Sequence, residues 1–206
     1  MYIRNMNNET NKRKNKKMNK IIAIGSSTGG IAALTDLLKN LPTEIPPVVI
    51  VQHIPKVFSL SFANSLNKMC PFKVKEAEDG DVLKKNTVYI APGGKQTRIR
   101  KRGSDFVILV VDEEPHNHHR PSVDILFDSV ARYIKNRAIG VVLTGMGKDG
   151  AKGLLNMKKE GALTIAQDEK TSVVFGMPKS AIAIGGVSKV LPLQRIPKQL
   201  MDWVNL

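Results

Sequence analysis

Apolar runs that alternate with segments of helical periodicity predict an α/β fold. The expected form is a doubly wound, mostly parallel sheet with helices on both faces and a small β-hairpin insertion. Three observations carry this. Residues 20–25 (KIIAIG), 47–52 (PVVIVQ) and 138–143 (AIGVVL) are continuous apolar stretches without the in-out alternation of a half-exposed strand. A turn and then a helical pattern follow the first two. Between them and the C-terminus lies one segment, residues 97–112, that reads instead as two short strands about a glycine turn.

Taken in order, the first strand (20–25) runs into Ser26-Ser27-Thr28-Gly29-Gly30, a turn. Ile31, Leu34, Leu38 and Leu41 then recur at helical spacing until Pro42 stops the helix. The second strand (47–52) ends in His53-Ile54-Pro55 and leads to a helix whose expected apolar face is Phe58, Phe62, Leu66 and Met69. Residues 87–91 (TVYIA) predict a third strand closed by Pro92-Gly93-Gly94. The hairpin follows, basic TRIRKR and apolar FVILVV flanking Gly103-Ser104-Asp105. After a polar loop at 113–121, Ser122 is placed to cap a helix carrying Val123, Leu126, Phe127, Val130 and Ile134 on one side. The strand at 138–143 comes next, and residues 163–166 and 187–191 are shorter candidates with helical segments between and after them.

A chain of 206 residues suits one domain with a substantial core, and 42% hydrophobic with 24% charged residues is ordinary for a globular protein. The single cysteine, Cys70, sits among apolar neighbours and predicts a buried thiol in a reducing compartment. No signal-type apolar region and no run near the ~18 apolar residues of a membrane span is present. The expectation is a cytoplasmic protein without membrane insertion.

The net charge is +14; residues 1–20 hold seven basic residues and one acidic, so they supply +6 and leave +8 to the rest. The expected organisation is a basic disordered tail at 1–18 and a single domain at 19–206. A basic body suits an acidic partner, whether nucleic acid, anionic lipid or protein. Aromatic residues are scarce (5%) and none interleaves with Arg98, Arg100 and Lys101, so no specific nucleic-acid binding is expected.

Gly25-Ser26-Ser27-Thr28-Gly29 matches G-x-S-x-G between a strand and a helix, the setting of a nucleophile elbow. Flanking glycines keep side chains away from the Ser27 hydroxyl, and the helix start offers N–H groups to an oxyanion. A glycine-rich first turn also cradles pyrophosphate in dinucleotide-binding enzymes. That alternative is weakened because serine stands where G-x-G-x-x-G needs its second glycine, and because Gln52-His53 end the second strand where an acidic residue would hold a ribose. A non-catalytic basic binding module on the same scaffold is the other alternative.

An activated serine needs a base, and His53 follows the strand expected beside the first, with both C-terminal ends on one sheet edge. A carboxylate should complete the set, and Asp149 lies in TGMGKDG after the strand at 138–143. Its other reading is a cap for the helix that starts near Gly150 and Ala151. The loop holding His116, His118 and His119 has metal-type donors but no partner such as HExxH or CxxC, so it reads as a polar cleft loop and no metal is expected.

With these residues in view, the chain resembles the catalytic domain of the chemotaxis protein-glutamate methylesterases, the CheB type. The resemblance spans roughly residues 20–195 through IAIGSSTGG, VVIVQHIP, VYIAPGG, HRPSVDILF, VVLTGMGKDGAKG and TIAQDEKTSVVFGMPKSAI, in that order. It implies a serine hydrolase that removes methyl groups from glutamate γ-methyl esters of chemoreceptors and releases methanol, with glutamine deamidation as a second activity. Ser27 would be the nucleophile, His53 the base and Asp149 its orienting acid, with Thr28 and Met146 at the oxyanion and substrate. No cofactor is implied, and the partner is an acidic helical protein met by a monomer. The usual family member also carries an N-terminal receiver domain; the residues ahead of Lys20 are too few to hold one, so a stand-alone catalytic domain is expected.

Overall fold

A computed structural model describes residues 20–206; the expected basic tail at 1–18 lies outside the described residues. The order of elements is β1 (Ile21–Ser26), α1 (Gly30–Lys39), β2 (Val48–Gln52), α2 (Lys56–Met69), β3 (Lys73–Glu76), β4 (Thr87–Ile90), β5 (Gln96–Arg102), β6 (Asp105–Val111), α3 (Val123–Tyr133), β7 (Ala138–Val142), α4 (Ala151–Lys159), β8 (Leu163–Gln167), α5 (Met177–Ala183), β9 (Lys189–Leu191) and α6 (Ile196–Val204). Seven strands form one sheet in the order β3-β4-β2-β1-β7-β8-β9. Every neighbouring pair in it is parallel. Among these strands only the β5–β6 hairpin pairs antiparallel, as the sequence predicts.

The unbroken apolar runs have a direct cause. Every residue of β1, β2 and β7 is buried, because helices cover both faces of the sheet. Successive side chains of β1 go to opposite faces: Ile22 and Ile24 pack with α1, α2 and α6, while Ile21 and Ala23 pack with α3, α4 and α5. Each layer is therefore a separate core. Truncating one fully buried aliphatic such as Leu34 costs about 2–5 kcal/mol.

Three expectations need correction. Strand β3 was not foreseen, because Lys73-Val74-Lys75-Glu76 is an edge strand with only Val74 buried, and charged edges protect a sheet rather than fill a core. Phe58 and Met69 are 56% and 41% exposed. The buried face of α2 is Ser59, Phe62, Ala63 and Leu66, and it begins with a serine whose Oγ accepts from Gly93 N–H at 3.0 Å, which an apolar count cannot see. Ile31 is likewise half exposed; α1 buries Ala33, Leu34, Leu37 and Leu38.

Chain order reverses direction at β1, which has β2 on one side and β7 on the other. Open α/β sheets place their sites at the carboxyl ends of strands beside such a reversal. Ser27, His53 and Asp149 all follow strands that meet there.

Candidate active site

β1 and β2 pair in the register Ser26↔Gln52, so Ser27 and His53 leave neighbouring strand ends together. Six hydrogen bonds fix the exit. His53 N–H donates to Ser26 O at 3.1 Å. The buried Gln52 carboxamide donates to both Ser27 O and His53 O at 3.0 Å, while its oxygen accepts from Ser26 Oγ at 2.7 Å. On the β7 side, Ser27 N–H donates to Thr144 O at 3.0 Å and Thr144 Oγ1 donates to Thr28 O at 2.9 Å.

The serine turn differs from the strained elbow the sequence predicts. Ser27 is not among the described residues with positive φ; that conformation falls on Gly29, at φ 80° and ψ −5°. Gly30 N–H closes the turn on Ser27 O at 2.7 Å, and Gly29 has the angles of the third residue of a type II turn, where glycine carries no steric cost. Gly30 is required for another reason. A Cβ there would collide with the Gln52 side chain.

Asp149 is 1% exposed and its carboxylate is the meeting point of five donors. Oδ2 lies 2.8 Å from His53 Nε2 and accepts Val123 N–H at 2.7 Å. Oδ1 accepts from Ser122 Oγ at 2.8 Å, Asp124 N–H at 3.2 Å and Asn117 Nδ2 at 3.2 Å. Asp149 thus does not cap its own helix: α4 begins at Gly150 with no side-chain cap, whereas the carboxylate sits on the first two N–H groups of α3, an anion at a helix N-terminus. Ser122 precedes α3 as expected but makes no side-chain cap; its hydroxyl is given to Asp149.

Burial alone would raise the Asp149 pKa. Hydrogen bonds from His53, Val123, Ser122 and Asn117 outweigh it and hold the carboxyl well below the usual aspartate range. An ionised acceptor 2.8 Å away requires the His53 proton on Nε2, leaving Nδ1 as the lone-pair nitrogen of the neutral ring. Nδ1 is buried and has no hydrogen-bond partner among the described residues.

His119 was not singled out from its neighbours in the sequence, yet its ring stacks on His53 with centroids 3.6 Å apart and planes 12° apart. Burial, then the nearby His53, lowers its pKa, so His119 is neutral at neutral pH. Asn117, also unforeseen, bridges Asp149 to the buried Asp124, donating to Asp124 Oδ2 at 2.9 Å. The pKa of Asp124 is raised, chiefly by burial, with Gly153 N–H opposing it and the Asp149 charge adding to it. His116 and His118 are exposed.

A cleft of about 600 Å³ opens over this ground, lined by Ser27, Thr28, His119, Met146, Lys148 and Asp149 among others. The side chain of Met146 is 72% exposed, and the backbone N–H groups of Thr28 and Met146 donate to no group among the described residues. His53 stands behind His119, its side chain 9% exposed. The structure therefore brings together all five residues singled out from the sequence. Asn117, His119, Ser122 and Gln52 complete the setting; HRPSVDILF carries His119 and Ser122 and VVIVQHIP carries Gln52, while none of the family-like stretches holds Asn117.

A family model described as CheB methylesterase matches residues 22–200. The protein-glutamate methylesterase/protein-glutamine glutaminase 3 of Rhodopseudomonas palustris (strain BisB18) is 50% identical over 184 residues, covering 89% of this chain and 50% of that protein. The corresponding protein of Salmonella typhimurium (strain LT2) is 50% identical over 186 residues, 90% of this chain and 53% of its own. The crystal structure of the Thermotoga maritima CheB methylesterase catalytic domain superposes with a TM-score of 0.87 at 43% identity, covering 89% of this chain and 97% of that one. The chain spans about half the length of the curated relatives it matches. A doubly wound parallel sheet, a serine turn at its reversal and this degree of likeness together place the chain in the CheB methylesterase family.

Proposed function

We propose that this protein is a serine hydrolase that cleaves glutamate γ-methyl esters on a methyl-accepting chemoreceptor and deamidates glutamines by the same route. Ser27 is the nucleophile, His53 the base and Asp149 its partner. The observation that carries the reading is the 2.8 Å bond from His53 Nε2 to a buried, ionised Asp149, beside the serine turn that ends β1. It leaves Nδ1 as the atom that takes the Ser27 proton. Ser27 Oγ and His53 Nδ1 each lack a partner among the described residues, and catalytic bonds often tighten only with substrate bound.

Ser27 Oγ attacks the ester carbon as its proton passes to Nδ1. The oxyanion faces the free N–H groups of Thr28 and Met146, donors that stabilise charge only as it develops. Nδ1 returns the proton to the departing methoxide, and methanol leaves an acyl-enzyme. Water then gives a proton to Nδ1 and attacks the acyl carbon; the intermediate collapses, Nδ1 returns the proton to the departing Ser27 Oγ, and glutamate is released. With glutamine the leaving group is ammonia. The imidazolium that forms in each step lies against the Asp149 charge.

The basic surface supports an acidic helical protein as substrate, and exposed Met146 at the cleft mouth supports contact with a folded surface. No described helix is long and apolar enough to cross a membrane. Cys70, expected to be buried, is half-buried, and a lone free thiol fits a reducing cytoplasm. The test is methanol release from a methylated receptor fragment together with fluorophosphonate labelling. Wild type should do both and Ser27→Ala neither, at an unchanged melting temperature. Turnover by folded Ser27→Ala would overturn the assignment, and binding of NAD with a thermal shift would favour a dinucleotide enzyme instead.

A further inference from the structure

We propose that His119 is a positioning residue that fixes the plane of the His53 imidazole. The inference rests on the esterase reading above and extends it to a residue outside the triad. Among the described residues a single hydrogen bond holds the His53 ring, Nε2 to Asp149. That bond and the covalent link at Cβ fix where Nε2 lies but leave play in the tilt of the ring plane, and with it in the direction of the Nδ1 lone pair. A second constraint is needed, and the His119 ring supplies it, lying 3.6 Å away and within 12° of parallel.

His119 is itself fixed at both ends. Its N–H donates to His116 O at 2.9 Å and its carbonyl accepts His116 N–H at 3.0 Å, closing a two-residue turn through Asn117 and His118. Both turn residues have positive φ, 53° and 67°, the requirement of a type I′ turn. Gln96 Nε2 also donates to His119 O at 3.1 Å. The Asn117 side chain ties the turn to Asp149, the same carboxylate that holds His53. The two stacked rings are therefore referenced to one anion.

The stack also shields one face of His53 from water while leaving the Ser27 cleft open. Being neutral, the His119 ring adds no charge against the imidazolium formed during turnover.

The test compares His119→Ala, His119→Asn and His119→Phe in the full chain. Phenylalanine keeps a flat ring, asparagine keeps polarity without one, and alanine keeps neither. A fluorophosphonate probe reads Ser27 reactivity as a maximal labelling rate and a half-saturation constant. From the usual strength of ring stacking, Ala and Asn should lose roughly five- to tenfold in maximal rate. Their half-saturation should stay within about twofold, and Phe should recover most of the rate. The hydrogen-bonded Nε2 proton of His53, followed by NMR, should broaden in Ala and Asn and sharpen again in Phe. A merely structural role would not move that signal in a variant that melts like wild type. Wild type that leaves Ser27 unlabelled overturns the esterase reading and this inference with it. Labelled wild type with equally reactive Ala and Asn variants overturns this inference alone, as does a Phe variant that folds yet labels as slowly as Ala.

Discussion

Two turns meet at the site, and they are built in opposite ways. The Ser27 turn takes its left-handed residue from Gly29, so its shape is written in the local chain. The turn from His116 to His119 puts Asn117 and His118 in that region, where a side chain costs roughly 1–2 kcal/mol for most residues and somewhat less for asparagine. Hydrogen bonds from elsewhere in the fold hold it: Asn117 to Asp124 and Asp149, and Gln96 to His119 O. The glycine turn supplies its own left-handed residue, although Gln52 and Thr144 brace it, whereas the histidine turn has no glycine and relies on such bonds throughout. The first presents Ser27, the proposed nucleophile, and the second arranges what stands around His53, the proposed base.

The largest effect is expected where the histidine turn and the base are both anchored. Asp149→Asn replaces two acceptor oxygens, met by five donors, with one oxygen and an amide. Turnover should fall about 10³–10⁴-fold, the scale of the corresponding change in a chymotrypsin-type enzyme. At least one donor would then face an N–H group, a loss of about 2–3 kcal/mol, or roughly 5–10 °C in a domain of this size. The depressed pKa adds a pH signature. Its stabilisation is present above the ordinary aspartate value of 3.8 and is lost as pH falls below it, so the Asn variant should show a flatter melting temperature against pH in that acid range. Thermal melts and methanol release on one preparation check all three. A variant that melts with wild type would mean the donors do not depend on the carboxylate.

The glycine turn should break next. Gly30→Ala drives a Cβ into Gln52, which cannot retreat because both its amide and its oxygen are bonded. Overpacking of this kind costs about 1–3 kcal/mol. Since Gln52 also holds the Ser27 and His53 carbonyls, turnover should fall with stability. Gly29→Ala pays the backbone penalty of φ 80° and meets Val173, about 1–2 kcal/mol. Urea midpoints order the two. If both were silent, the serine turn would not be locally determined and the contrast with the histidine turn would fail.

That contrast also explains what was legible in the sequence. Parallel strands buried on both faces announce themselves as apolar runs, and Gly29-Gly30 and Gly147-x-x-Gly150 mark turns at their ends, so Ser27, His53 and Asp149 could be placed on one sheet edge. Chemistry carried by long-range bonds left no such trace. Nothing in HNHHR says which histidine stacks on the base, because the choice depends on Asn117 reaching two carboxylates 7 and 32 residues away. Asp149 read locally as a cap for the helix after it; two of its five partners are the first N–H groups of α3, far back along the chain. Strand β3 was hidden for a simpler reason, since an edge strand of lysines and glutamate has no periodicity to show.

Asn117→Ala tests whether the histidine turn is held from outside. It removes one donor from Asp149 and one from Asp124, and Asp124 keeps Gly153 N–H while Asp149 keeps four others. A loss of about 1–2 kcal/mol is expected, with a few-fold fall in turnover as His119 loosens over His53. Differential scanning calorimetry beside labelling kinetics reads both. Unchanged stability would say that the turn stands by its own backbone.

The smallest effect, and the one that separates the two turns most sharply, is expected from His118→Gly. His118 has φ 67° and an exposed side chain with no hydrogen bond among the described residues. Glycine relieves the left-handed strain but adds freedom to the unfolded chain, and the two terms are both near 1 kcal/mol and opposite in sign. In a turn held by tertiary bonds they should nearly cancel, leaving the melting temperature within about 2 °C of wild type. Because His118 lines the cleft without touching the triad, kcat should hold while KM shifts at most a few-fold. A rise of many degrees would show that local strain limits the turn, making it a poorer version of the glycine turn rather than a different kind. A fall of similar size would show that the His118 side chain holds the turn in place. Either result would dissolve the distinction between a turn set by its own residues and one set by the site around it.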